Sequence, residues 1–137
     1  MTFYDITNDD RQMIDTALAV LRDCFDDGIY HHTVGAAIQS KSGKVYTGVN
    51  CHCIHGSCAE FIAIGKAISE GEREFDTIVA VHEHAENHVV APCGNCRQML
   101  FEYAPDIKVI LNDDDGNMVK VGIMDLLPFA YKEIFFD

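Results

Sequence analysis

The chain has 137 residues, 48% hydrophobic and 23% charged. That size and balance predict one soluble globular domain over 1–137, with a core that needs no staples. Ten Lys and Arg against 22 Asp and Glu leave a net charge of −12, a surface that repels phosphate backbones and anionic lipid and so disfavours both as partners. No apolar run approaches the ~20 residues of a membrane span, and the opening MTFYDITNDD is too acidic and polar for a secretory signal. A cytoplasmic protein is therefore expected, its six cysteines kept reduced or used as metal ligands.

Residues 9–26 carry Met13, Ile14, Ala17, Leu18, Leu21, Cys24 and Phe25 at helical spacing, which predicts a helix with Cys24 in the core and Gly28 as its stop. Two strands follow at 33–39 and 44–50, joined by the turn Lys41-Ser42-Gly43. A second helix is predicted over 57–70. It is apolar almost all round, which suits a central position. Residues 77–81 read as a buried strand and 82–88 as a polar loop. Pro92 opens a third helix, about 93–103, and 107–111 reads as another buried strand. The Asp-rich stretch 113–117 is a turn, 118–121 a fifth strand, and 122–136 one or two short helices. The expected fold class is α/β, a three-layer α-β-α arrangement around a mixed five-stranded sheet.

The chemistry concentrates in Cys58-Ala59-Glu60 and in Pro92-Cys93-Gly94-Asn95-Cys96-Arg97-Gln98, each at the start of a predicted helix. Cys93 and Cys96 are three apart, so their sulfurs share a helix face, and Cys58 supplies a third thiolate. Helix N-termini favour the thiolate form. Zinc is the natural occupant of a sulfur-rich tetrahedral site, and three protein ligands leave one position open, the mark of a catalytic centre. Glu60 is better placed beside the ion than on it, where a carboxylate suits proton transfer. Arg97, next to Cys96, is the candidate to offset the charge of three thiolates by hydrogen bonds to the sulfurs. A structural four-cysteine site recruiting Cys53 is the competing assignment, but it leaves Glu60 unused.

These blocks, with Val34-Gly35-Ala36-Ala37, Gly48-Val49-Asn50 and Leu126-Leu127-Pro128, stand in the order of a known family. The chain resembles the small zinc-dependent cytidine deaminases. Val121-Gly122-Ile123, Leu126-Leu127-Pro128 and Tyr131 are most similar to the blasticidin-S deaminase branch. The resemblance implies a zinc ion in each subunit of a homotetramer and a small cytosine nucleoside as substrate. Glu60 would move protons, Ala59 would contact the base through its backbone, and Asn50 would contact the ribose. Tyr131 and the apolar tail Ile134-Phe135-Phe136 would help close a neighbouring subunit's pocket. The chain departs from the family pattern at His52, where a Glu often contacts ribose, and at His32, where Phe is usual near the substrate. His52 and His55 either face an acidic or modified sugar or are exposed loop residues. Cys51 and Cys53 are either an auxiliary metal or redox pair, or two small loop or core residues.

His84-Ala85-Glu86 also fits a His-x-Glu pattern. It lies nine residues before Cys93, too near for the intervening helix and strand, and reads as a solvated loop. A cytosine-nucleoside antibiotic such as blasticidin S is the alternative substrate. A non-catalytic zinc module and a polynucleotide-editing enzyme are the alternative classes; the charge of −12 argues against the latter.

Overall fold

The computed structural model describes residues 1–133. In chain order it contains β1 (Phe3–Tyr4), α1 (Asn8–Cys24), β2 (Val34–Ser40), β3 (Val45–Val49), α2 (Ala59–Ser69), β4 (Phe75–His82), β5 (Val89–Val90), α3 (Gly94–Tyr103), β6 (Lys108–Asn112) and β7 (Met118–Gly122), with a 3₁₀ turn over Ile123–Leu126. The strands form one mixed sheet in the order β1-β7-β6-β4-β2-β3, with β5 also paired to β4. The β4–β6 pair is parallel and every other pairing is antiparallel.

The three-layer arrangement is as expected. The sheet has seven strands rather than five. The two additions, β1 and β5, are two residues long, too short for alternation to register in the sequence. Of the helices expected over 122–136, the described residues contain only the 3₁₀ turn, and residues 134–136, with the apolar tail, lie outside the described residues. No helix among the described residues is long and apolar enough to cross a membrane.

Two apolar clusters hold the layers together. One joins Met13, Ala17, Leu18 and Leu21 of α1 to Ala37, Val79, Val81 and Ile110 on one face of the sheet. The other joins Ala63, Ile64 and Ala67 of α2 and Met99 and Leu100 of α3 to Ala36, Ile38, Ile78 and Val109 on the opposite face. Helix α1 begins with a capping box. The Thr7 hydroxyl accepts from the Asp10 N–H at 3.1 Å, and the Asp10 carboxylate accepts from the Thr7 N–H at 2.9 Å. Asp10 is buried and also pairs with buried Lys120 of β7 at 2.8 Å, fastening α1 across the sheet.

Helix α1 stops at Cys24, earlier than expected, with Phe25 as its C-cap. The Asp26 carboxylate then accepts from the N–H groups of Gly28 and Ile29, at 2.8 and 3.0 Å, and turns the chain. Cys24, expected in the core, is exposed, because Leu21 is the last helix residue buried against the sheet. Helix α2 also departs from expectation. It buries one face, while Ile62 on its outer side remains 38% exposed. Gly48 lets it approach closely: a Cβ there would lie 2.7 Å from the Ala63 backbone nitrogen.

Candidate active site

The N-termini of α2 and α3 meet on one face of the sheet. Cys58 is the N-cap of α2 and Cys93 the N-cap of α3. Both have extended backbone and neither uses its side chain to cap its own helix. Cys96 lies in the first turn of α3 and is fully buried. The three sulfurs lie within 4.8 Å of one another, with 3.6 Å between Cys58 and Cys93. Among the described residues this is the cluster whose atoms converge tightly enough to hold a metal ion. Cys53 is not part of it, so the four-cysteine alternative lacks its fourth ligand.

The trio is poorly matched to holding only protons. Burial, followed by the Glu60 charge and the neighbouring sulfurs, pushes the Cys96 thiol far up. Burial likewise raises Cys58. Burial works against Cys93 too, but hydrogen bonds from the Cys96 backbone N–H and the Cys58 thiol bring it below the usual thiol value. Adjacent thiolates repel unless a cation shares them. Bound at two helix N-termini, a divalent ion removes that conflict.

Glu60, in the first turn of α2, is only 5% exposed. Burial pushes its carboxyl above the usual range, opposed by hydrogen bonds from its own backbone N–H and from Cys96. Desolvation of this kind brings a carboxyl towards the range where it can both take and return a proton.

Beside the trio is a cavity of about 340 Å³. Its walls come from Val34 of β2, the 50–57 connection, Cys58, Ala59 and Glu60 of α2, and Val90, Ala91 and Cys93 ahead of α3. The 50–57 connection is a tight hairpin in which Cys51 and Ser57 exchange backbone hydrogen bonds of 2.9 Å. Of the residues singled out in the sequence, Asn50, His52, Cys58, Ala59, Glu60 and Cys93 line the cavity, and Cys96 lies behind it in the trio.

Three others sit elsewhere. His32 lies outside the cavity lining, its Nδ1 2.7 Å from the Asn50 carbonyl oxygen. Tyr131 is 68% exposed and lines a separate hollow with Phe101 and Tyr103, so it does not reach the cavity of its own chain. Arg97 donates to the Pro92 carbonyl at 2.9 Å and to the Leu126 carbonyl at 3.1 Å. Its hydrogen bonds therefore tie the 3₁₀ turn to the entry of α3 instead of reaching the sulfurs.

Sequence reasoning did not single out Gly56 and Ser57, which form part of the cavity wall. Gly56 lets the hairpin close tightly, since a Cβ there would lie 2.8 Å from the Cys51 carbonyl oxygen. Cys51 is an exposed wall residue, and among the described residues it joins no convergent group of three or more metal-ligating side chains. His84-Ala85-Glu86 lies in the turn between β4 and β5 and is not part of the thiol cluster.

Residues 7–112 match the family described as the cytidine and deoxycytidylate deaminase zinc-binding region. A blasticidin-S deaminase from Bacillus cereus is 37% identical over 140 residues, spanning 96% of this chain and 98% of that protein. A cytidine deaminase from Halalkalibacterium halodurans is 39% identical over 102 residues, spanning 72% and 76% of the two chains. The crystal structure of cytidine deaminase from Burkholderia pseudomallei superposes with a TM-score of 0.72 at 32% identity, covering 88% of this chain and 98% of that one. The cofactor of this region is zinc, and Cys58, Cys93 and Cys96 are the donors that fit it. On sequence, fold and donor set together, the chain belongs to the zinc-binding cytidine and deoxycytidylate deaminase family.

Proposed function

We propose that the protein, as one domain over 1–137, hydrolytically deaminates a cytosine nucleoside, converting cytidine or deoxycytidine to the uracil form and releasing ammonia. The observation that carries this reading is the buried Glu60 carboxyl beside a three-thiol cluster at the wall of a nucleoside-sized cavity. A structural zinc site has no use for that carboxyl.

Cys58, Cys93 and Cys96 hold the zinc ion, which supplies Lewis-acid chemistry to the reaction when bound. Glu60 takes the proton of the attacking water and gives it to the ring nitrogen beside the amino-bearing carbon. The water oxygen bonds to that carbon; Glu60 then carries the proton of the new hydroxyl to the exocyclic amine, the C–N bond breaks, and ammonia leaves behind the uracil carbonyl. Ala59 presents its backbone to the base, while Asn50 and His52 belong to the sugar side. Two helix N-termini supply the positive potential that Arg97 was expected to provide directly.

A second reading has blasticidin S as the substrate. Its support is the end-to-end match to the Bacillus cereus blasticidin-S deaminase, with His52 in the cavity wall. Ammonia release from cytidine, deoxycytidine and blasticidin S in parallel separates the two. Turnover of the simple nucleosides supports the first reading, and turnover of blasticidin S alone supports the second. Failure on all three with zinc bound overturns both.

We further propose a cytoplasmic homotetramer. The six free cysteines suit a reducing compartment. The exposed Ile62, Phe129 and Tyr131 leave apolar surface for neighbouring subunits to cover. A monomer by light scattering overturns the assembly.

A further inference from the structure

The three sulfurs of the trio are not equally reachable. Cys96 is fully buried. Cys58 is half-buried and Cys93 exposed, and both form part of the cavity wall. An opening wide enough for a nucleoside admits a much smaller peroxide molecule. An oxidant in the cavity therefore meets Cys58 and Cys93 but not Cys96.

These two thiols are also placed as a pair. Their sulfurs are 3.6 Å apart. A disulfide bond is about 2.05 Å long, so closure takes a movement of the order of 1.5 Å. Each thiol projects from an N-cap, and neither is tied down by capping its own helix. Rotation about the two Cα–Cβ bonds can supply the movement without unwinding α2 or α3. Cys96 has no such freedom, since it sits inside the first turn of α3. Metal binding keeps ligand sulfurs deprotonated, and the thiolate is the form that attacks an oxidant.

We infer that Cys58 and Cys93 form a redox switch that lets the metal go. The Cys93 thiolate attacks one oxygen of hydrogen peroxide. The O–O bond breaks, leaving a sulfenic acid on Cys93 and one hydroxide ion. The Cys58 thiolate then attacks the Cys93 sulfur, the S–S bond forms, and a second hydroxide departs. The two sulfurs give up two electrons, and one peroxide becomes two hydroxide ions. Cys96 alone is left as a donor, too few to retain zinc. The new bond joins the starts of α2 and α3 where the ion did. A dithiol reductant reverses the step: it leaves as its own disulfide and returns two thiols to the trio. The switch uses the donor trio alone and stands whatever nucleoside the cavity takes.

The other exposed thiols are Cys24, Cys51 and Cys53, and Cys51 shares the cavity wall. The test therefore uses the zinc-loaded wild type beside a variant combining Cys24→Ser, Cys51→Ser and Cys53→Ser, in which the trio holds the only thiols. Hydrogen peroxide is titrated in while a chromogenic chelator reports released zinc. Peptide mapping by mass spectrometry without reduction then locates the bonds.

Both proteins should release one zinc ion for each peroxide consumed and carry a disulfide between Cys58 and Cys93. Cys96 should remain a free thiol that alkylates only after unfolding. Dithiothreitol with added zinc should return the metal to its starting content. Zinc retained while peroxide is consumed would overturn the switch. So would a bond that recruits Cys51 or Cys96, or release accompanied only by sulfinic or sulfonic acids that the dithiol cannot reverse. If the triple variant does not fold, the wild-type map decides by itself. Absence of ammonia from every substrate overturns the deaminase reading instead, and zinc release still decides the switch.

Discussion

Cys58 and Cys93 hold the same position in two different helices: each is the N-cap, and their sulfurs lie 3.6 Å apart. An N-cap usually turns its side chain back onto its own helix. Here neither does, so two helix ends present thiols to one point, and Cys96 in the first turn of α3 completes the trio.

Metal removal should therefore be felt by the fold as well as by the reaction. A ligand bound at 100 times its dissociation constant stabilises by about 2.7 kcal/mol. For a domain of this size, that corresponds to a melting temperature lower by roughly 10 °C after chelation. Differential scanning fluorimetry with and without chelator checks this. In Cys96→Ala the chelator should have no effect, and a retained shift would place the ion elsewhere.

Glu60→Gln preserves shape but removes the proton-carrying group. The variant should keep stoichiometric zinc by elemental analysis while kcat falls by about 10³-fold, within the usual range for losing a general acid–base. A wild-type rate would remove Glu60 from the proton path.

Arg97 serves the fold around the site. Arg97→Ala deletes the two hydrogen bonds that its guanidinium donates to the Pro92 and Leu126 carbonyls and should destabilise by about 1–3 kcal/mol in urea unfolding. Zinc content should stay near wild type. A variant of unchanged stability that loses zinc would restore the direct charge-offsetting role.

The buried Asp10–Lys120 pair is far from the chemistry and offers a contrast. Asp10→Ala leaves a buried ammonium without its partner and breaks the capping box, at a cost of about 3–5 kcal/mol. Denaturant unfolding should show the loss, while KM for the preferred nucleoside stays constant in the folded fraction.

Gly48 tests how closely α2 must sit. Gly48→Ala places a methyl group 2.7 Å from the Ala63 nitrogen, and backbone cannot yield as a side-chain tip can. Overpacking of this kind costs about 1–3 kcal/mol. Because α2 carries Cys58 and Glu60 at its start, kcat should fall along with stability; a fully active, equally stable variant would show that the close approach is dispensable.

The α1, α2 and α3 helices, the five longer strands and the Cys58, Cys93, Cys96 and Glu60 constellation were all legible in the chain. Their signals are local: helical spacing, β-branched runs, and thiols at helix starts whose chemistry admits few purposes. The two-residue strands β1 and β5 were not, because each exists only through its pairing with β7 or β4. The burial of Cys24 was misjudged because periodicity says which face a residue occupies, not where the sheet beneath it ends.

The partners of polar side chains belong wholly to the tertiary structure. Arg97 could be placed beside the sulfurs by sequence proximity, yet its guanidinium reaches a carbonyl 29 residues away. Asn50 could be assigned to a sugar, but its amide also bonds a loop 16 to 19 residues earlier. Hydrogen bonds act over about 3 Å and depend on direction, so which donor meets which acceptor is decided only once the register of the sheet and the seating of the helices bring distant segments together.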